Sequence, residues 1–165
     1  MKVFTTLLSL GLAASVAVAQ TPGPTPFTLS YNDIYQDRNQ PLEPLACGGG
    51  QNGLVTRGYD VLGRIPNFDN VGAGNAASYN SQGCGACYKL IYRDNSAYIT
   101  LVDNTARPGL FVISTNAVKA LTRVNGTSEG YDKGTVTLDD AYEVDDLCAF
   151  PKIQVGLWFG RSGEP

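Results

Sequence analysis

The chain has 165 residues, of which 43% are hydrophobic, and its 12 basic and 15 acidic side chains give a formal net charge of −3 at pH 7. This length supports one domain with a hydrophobic core, and the acidic balance argues against a nucleic-acid partner. Histidine is absent, which excludes a Ser-His-Asp or Cys-His catalytic site and a histidine metal site. We expect no metal and no cofactor.

The N-terminus has the pattern of a secretory signal peptide. Lys2 supplies a positive charge, residues 3–18 form an apolar run, and Ala17-Val18-Ala19 is a cleavage signal. We therefore predict a signal peptide over residues 1–19, a secreted, extracellular protein and no membrane span. Residues 20–26 contain three prolines and are expected to form a flexible N-terminal arm.

The chain contains four cysteines, an even number that favours structural disulfides in a secreted protein. They are Cys47, Cys84, Cys87 and Cys148. The sequence alone allows three pairings. The Cys84-Gly85-Ala86-Cys87 segment also has the spacing of a redox pair, and four thiolates could hold zinc, so both alternatives stay open.

Hydrophobic patterning predicts mostly short strands. The glycine-rich segment 47–53 is expected to be a tight surface loop that needs positive φ, and the acidic run 139–146 to be a solvated face. The segment 114–116 offers an N-cap for a helix that ends at Asn125-Gly126, while the alanines of residues 72–79 indicate a second, shorter helix. Asn125-Gly126-Thr127 is a glycosylation sequon. Strands are predicted over residues 27–31, 54–59, 88–92, 97–102, 110–113 and 134–138.

Several motifs together resemble the cerato-platanins, a family of small secreted fungal proteins. The resemblance covers roughly residues 27–148. It departs from the family in Asn104, where many members have histidine, and in a C-terminal extension over residues 149–165, which includes a strongly apolar stretch. The matching motifs are Leu29-Ser30-Tyr31, Gln51-Asn52-Gly53-Leu54, Thr56-Arg57, Gly58-Tyr59, Cys84-Gly85-Ala86-Cys87-Tyr88, Val102-Asp103 and residues 109–114.

The resemblance implies a mostly β domain over residues 27–148: a six-stranded double-ψ β-barrel with a few short helices and the disulfides Cys47–Cys84 and Cys87–Cys148. It also implies a non-catalytic protein that binds chitin or N-acetylglucosamine oligomers at the fungal cell wall. Such a protein acts as an elicitor of plant defence, with a host surface partner and self-association. The candidate sugar contacts are Tyr31, Asn52, Gly53, Arg57, Tyr59, Asp103 and Asn104.

Two other functions remain in competition. One is an expansin-like or weakly hydrolytic protein centred on Asp103, because glycoside hydrolysis uses two carboxylates across the scissile bond. No spacing rule identifies the second carboxylate among Asp33, Asp60 and Asp69. The other is a surface-active coat protein that assembles through its apolar C-terminal extension.

Overall fold

The computed structural model describes residues 25–145 and Cys148. The predicted signal peptide, most of the N-terminal arm and the C-terminal extension lie outside these residues. Two 3-10 helices, Asp33–Gln36 and Leu62–Arg64, accompany the regular elements of this part of the chain. Those elements are β1 (Thr28–Tyr31), β2 (Val71–Gly74), β3 (Cys87–Tyr92), β4 (Asn95–Asp103), β5 (Leu110–Ile113), α1 (Thr115–Leu121), β6 (Arg123–Val124), β7 (Thr127–Ser128), α2 (Glu129–Lys133), β8 (Thr135–Thr137) and β9 (Asp140–Val144).

Seven of the nine described strands form one sheet in the order β8-β1-β5-β2-β4-β3-β9, and β6 and β7 form a separate hairpin. The β1–β5 and β2–β4 pairs are parallel and the others antiparallel. The prediction of six strands is therefore wrong, and β8 and β9 at the two ends of the sheet do not pair with each other to close a barrel. A mostly β domain with a few short helices and two disulfides is confirmed.

The two end strands belong to one continuous stretch of chain. Only Leu138 and Asp139 separate β8 from β9. The N–H of Leu138 donates to the carbonyl of Phe27 beside β1, and that of Asp139 donates to the carbonyl of Ile91 in β3, both at 2.9 Å. Because β8 pairs with β1 and β9 with β3, this stretch connects the two ends of the sheet over the core.

Two segments differ from their predicted structure, and a third has its predicted exposed acidic side chains but also forms a strand. Residues 72–79 begin in strand β2 instead of a helix, because glycine allows the backbones to approach closely: a Cβ on Gly72 would lie 2.4 Å from the carbonyl oxygen of Val112 in β5. Residues 54–59 form turns instead of a strand. The acidic run contains β9, in which Ala141 is buried while Asp140 and Glu143 face solvent.

Helix α1 begins where the sequence predicts and ends earlier. The Oγ of Ser114 accepts a hydrogen bond from the N–H of Ala117 at 3.0 Å, which is the predicted N-cap. The helix ends at Leu121, and Asn125 and Gly126 turn the β6–β7 hairpin with φ values of 50° and 86°. Asn125 is exposed in this turn, and its glycosylation stays a prediction.

The disulfides join Cys47 to Cys84 and Cys87 to Cys148, the pairing that the resemblance implies. The two cysteines of the C-x-x-C segment are therefore bonded to different distant partners. This arrangement contradicts both the redox pair and the four-thiolate zinc site.

Candidate functional site

The glycine-rich loop, residues 47–59, is fixed by its own backbone and by a disulfide. The N–H of Leu54 donates to the carbonyl of Cys47 at 2.7 Å, and the N–H of Tyr59 donates to the carbonyl of Leu54 at 3.0 Å. Leu54 is fully buried in the core, and Cys47 is bonded to Cys84. The loop therefore presents its polar side chains from a well-anchored backbone.

Glycine is required at two positions of this loop for different reasons. Gly50 has a φ of 87°, which confirms the predicted positive φ. Gly48 is buried instead of exposed, and a Cβ on it would lie 2.2 Å from the carbonyl oxygen of Leu42. The candidate residue Gly53 is also buried, and its N–H donates to the carbonyl of Gly50 at 3.0 Å. Gly53 thus shapes the loop.

Asn52 links the glycine-rich loop to the segment that precedes the C-x-x-C cysteines. Its backbone N–H donates to Oδ1 of Asn80 at 2.9 Å, and its Nδ2 donates to the carbonyl of Asn80 at 2.8 Å. Asn80 has a φ of 58°, a left-handed conformation that asparagine adopts more readily than most residues. The pair places two side-chain amides together at the surface.

Asp103 ends β4 and is surrounded by donors. Its Oδ2 accepts from the hydroxyl of Tyr35 at 3.0 Å, and its Oδ1 accepts from the backbone N–H of Ala46 at 2.9 Å and of Asn104 at 2.8 Å. Ala46 directly precedes the glycine-rich loop, so the carboxylate ties this loop to the end of β4. The contacts of Asp103 therefore give it a structural role.

The contact with Asp103 leads to a prediction for Tyr35. Burial, followed by the charge of Asp103 and its hydrogen bond, raises the pKa of the Tyr35 hydroxyl well above its usual value of about 10. Above about pH 10, the Tyr35 hydroxyl loses its proton more readily in the unfolded chain than in the folded protein. The free energy of unfolding should therefore fall as pH rises. In an alkaline titration followed by tyrosinate absorbance, Tyr35 should ionise only on unfolding. Tyr35→Phe should therefore remove one late-ionising tyrosine, and an unchanged number would contradict the assignment.

Asn104 connects the same end of β4 to the segment of Asn80. Its Nδ2 donates to the carbonyl of Ala77, and its Oδ1 accepts from the N–H of Ala106. Asn52 and Asn104 therefore both hold residues 77–80, one at each end. The structure brings these two predicted site residues together through a segment that the sequence analysis did not include.

Arg57 and Tyr59 lie at the end of the glycine-rich loop. The Arg57 Nε is buried and has no hydrogen-bond partner among the described residues. Burial lowers the pKa of the guanidinium, and interaction with Tyr59 acts in the opposite direction. Tyr59 is partly buried against the core. An unsatisfied buried N–H is costly, whereas Arg57 as a whole is only partly buried.

Tyr31, another candidate sugar-binding residue, has its contacts at the helices and not at the glycine-rich loop. Its ring packs at a tilt of 33° against that of Tyr131 in α2 with a centroid separation of 5.2 Å, and its hydroxyl donates to the carbonyl of Tyr131 at 3.4 Å. The Nζ of Lys119 lies 3.8 Å from the centre of the Tyr131 ring. Tyr31 therefore packs against the helices.

Tyr79 is the residue that sequence reasoning missed. It lies in the segment between Asn52 and Asn104, and 72% of it is exposed. The prediction of a helix over residues 72–79 gave no reason to place its ring near the glycine-rich loop. The signal that could have found it is the Cys47–Cys84 pairing, because this bond brings the residues before Cys84 beside those after Cys47.

Two of the three carboxylates considered as catalytic partners of Asp103 have other side-chain contacts, whereas Asp69 makes a hydrogen bond among the described residues only through its carbonyl, which accepts from the hydroxyl of Ser114. Asp60 forms an ion pair with Arg64 at 3.3 Å, and Asp33 accepts hydrogen bonds from the hydroxyl of Thr115 and the side chain of Gln36. Across residues 25–145 and Cys148, no group of three or more His, Cys, Asp or Glu side chains could hold a metal ion. These contacts do not pair Asp33 or Asp60 with Asp103.

Residues 27–144 match the sequence model of the cerato-platanin family. The chain belongs to this family. It is similar to the heat-stable 19 kDa antigen of Coccidioides posadasii, with 35% identity over 128 residues that cover 72% of this chain and 88% of the antigen. The relatives found for this cerato-platanin are fungal proteins, named as antigens, allergens or cerato-platanins.

Solved cerato-platanin structures have the same fold. Cerato-platanin 5 from M. perniciosa superposes with a TM-score of 0.63 at 32% identity, covering 75% of this chain and 91% of the other. The fungal elicitor cerato-platanin, solved in solution, superposes with a TM-score of 0.58 at 30% identity, covering 72% and 92%. In the described part of this family member, no helix has the length and apolar character needed to cross a membrane.

Proposed function

We propose that this cerato-platanin is a secreted, non-catalytic protein that binds chitin-type oligomers of N-acetylglucosamine at the fungal cell wall and elicits plant defence. The observation that carries the proposal is the attachment of Asn52 and Asn104 to opposite ends of segment 77–80. It gathers side-chain amides around one rigid stretch of surface that lies beside the glycine-rich loop.

These groups have the chemistry that an N-acetylated sugar requires. Amide groups both donate and accept hydrogen bonds, and a guanidinium donates them, so they can contact the hydroxyl and acetamido groups of the ligand. Arg57, which is only partly buried, adds a guanidinium donor at the end of the same loop. Because the disulfide and backbone hydrogen bonds already fix the loop, binding costs little ordering entropy.

The contacts of Asp103 support binding over hydrolysis. A glycosidase needs a proton donor and a second carboxylate on opposite sides of the bond. Both oxygens of Asp103 instead accept hydrogen bonds from the protein itself. We therefore assign Asp103 and Asn104 to positioning the loop and segment 77–80, with Asn52 and Arg57 facing the sugar.

The test is a titration of the mature, oxidised protein with N-acetylglucosamine oligomers of increasing length, followed by NMR and by chromatography of the sugar. We expect saturable shifts at residues 52–59 and 103–104 with the oligomer intact. Arg57→Ala should weaken binding, whereas Arg123→Ala, which removes an exposed arginine on β6, should not. Shortened sugar products would show a hydrolase, and an absence of binding would reject the proposal.

The effect on plants is a separate part of the proposal. One solved relative is named a fungal elicitor, and we propose the same action for this chain through a partner at the host surface. Self-association is a further expectation. A defence response to the wild-type protein that persists in a variant unable to bind chitin would separate elicitation from sugar binding.

A further inference from the structure

Tyr79 has an exposure that the fold does not explain. It is 72% exposed, whereas the other exposed large hydrophobic residues of the described chain, Val55, Tyr131 and Tyr142, lie between 39% and 42%. A single exposed hydrophobic residue is common on a protein surface and by itself indicates no ligand. An exposed aromatic ring becomes a candidate ligand contact when the backbone that carries it is also fixed.

The surroundings of Tyr79 fix its backbone on both sides. Asn80 is bonded to Asn52 through two hydrogen bonds, and the carbonyl of Ala77 accepts from Asn104. The N–H of Ala77 also donates to the carbonyl of Gly74 at 3.1 Å. The segment is therefore held independently of the Tyr79 side chain.

The absence of a side chain at Gly49 leaves room for the Tyr79 ring. A Cβ on Gly49 would lie 3.2 Å from Cε2 of Tyr79 and 3.6 Å from its hydroxyl oxygen. One edge of the ring therefore rests against the backbone of the glycine-rich loop while most of the side chain faces solvent. The loop backbone therefore supports one edge of the Tyr79 ring, and the rest of the ring remains accessible to a ligand.

The polar groups beside the ring have hydrogen-bonding capacity that suits a sugar. A side-chain amide has two N–H donors and one acceptor oxygen. Asn52 uses one N–H for the contact with Asn80, and its second N–H and its Oδ1 make no hydrogen bond to the described residues. An aromatic face beside such amides suits a pyranose ring, because the ring covers the C–H face of the sugar and the amides contact its polar substituents.

We propose that Tyr79 is the stacking platform of the sugar site, with one N-acetylglucosamine ring lying on its exposed face next to Asn52 and Asn80. This inference rests on the proposed chitin-type ligand and adds the residue that sets affinity and ring orientation. The other exposed tyrosines are less suitable. Tyr131 is in contact with Tyr31 and Lys119, and Tyr142 lies on the edge strand β9.

The experiment compares wild type with Tyr79→Ala, Tyr79→Phe and the control Tyr142→Ala by calorimetric titration with an N-acetylglucosamine hexamer. Loss of a stacked aromatic ring should raise the Kd of Tyr79→Ala about tenfold. Tyr79→Phe, which keeps the ring, and Tyr142→Ala should stay close to wild type. Saturation-transfer NMR should show contact with the C–H protons of the sugar, and this signal should disappear only in Tyr79→Ala.

The outcomes separate this inference from the proposed function. Wild-type affinity in a folded Tyr79→Ala variant would overturn the platform and leave chitin binding intact. Equal losses in Tyr79→Ala and Tyr79→Phe would also overturn it, because the hydroxyl and not the ring would then carry the contact. If the wild-type protein binds no oligomer, both the proposed chitin binding and the Tyr79 platform are rejected. Since the Tyr79 side chain is mostly exposed, we expect all variants to keep the wild-type backbone spectrum.

Discussion

Replacing Cys47 and Cys84 together with serine should remove the largest single stabilising constraint on the candidate site. The bridge spans a sequence separation of 37 residues, and the chain-entropy model gives about 4 kcal/mol for a loop of this size. A domain of this size has a total stability of roughly 5–15 kcal/mol. We therefore expect a large drop in the free energy of unfolding and the loss of sugar binding, because the glycine-rich loop would no longer be fixed beside segment 77–80.

The matched control is the Cys87→Ser/Cys148→Ser variant. Its bridge spans 61 residues and should contribute a similar stabilisation of about 4 kcal/mol, but it joins β3 to the chain beyond β9 and includes no residue of the loop. Denaturant unfolding should therefore show comparable losses in both variants. At a temperature where both remain folded, only the Cys47→Ser/Cys84→Ser variant should lose affinity for the oligomer. Equal affinities would contradict the role assigned to this bridge.

Asp103→Ala should lower the free energy of unfolding by about 3 kcal/mol, because hydrogen bonds to a charged group contribute most and their loss leaves donors unsatisfied. The donors are the Tyr35 hydroxyl and the backbone N–H groups of Ala46 and Asn104. The measurement is thermal and denaturant unfolding of the oxidised protein. The loss should also displace the start of the glycine-rich loop, so that oligomer binding weakens in parallel with stability.

Two further variants distinguish this positioning role from a general charge effect. Asp103→Asn keeps one acceptor oxygen and should recover much of the lost stability. Asp60→Ala removes a carboxylate whose ion pair with Arg64 is exposed, and such pairs contribute about 0–1 kcal/mol. If Asp103→Ala were as mild as Asp60→Ala, the three hydrogen bonds could not be what fixes the loop.

Strands with one buried face were the elements that the sequence could predict. The alternation in β1 and β3 and the apolar runs of β4 and β5 reflect the burial of individual side chains. The N-cap at Ser114 is equally local, because the capping hydrogen bond reaches only three residues along the chain. The sequence signal is reliable where the structure depends on such neighbouring positions.

Strand β2 could not be predicted in this way because its signal lies in its partners. All four of its residues are buried, but two of them are glycines, which have little strand preference of their own. Gly72 is needed because the backbone of β5 approaches closely, and this is known only once the sheet has formed. The same misreading as a helix concealed Tyr79.

The candidate site was predictable as a set of residues and not as an arrangement. Asn52, Arg57 and Asp103 came from family motifs and Asn104 from the position where the chain departs from the family, and the structure adds the hydrogen bonds by which Asn52 and Asn104 hold segment 77–80. It also places Tyr31 against α2. The distances between these residues depend on long-range pairing and on the disulfides, which no local pattern contains.

The continuity of β8 and β9 affects when the domain can fold during synthesis. Strand β1 needs β5 and β8 as neighbours, and β3 receives β9 as its outer neighbour. Strands β1 and β3 therefore cannot complete their pairing until the last part of the domain has left the ribosome. Pairing between such distant segments is slow. A nascent chain therefore lacks its finished sheet until the last part of the domain has been synthesised, and each pair of cysteines can be joined once the sheet has brought it together.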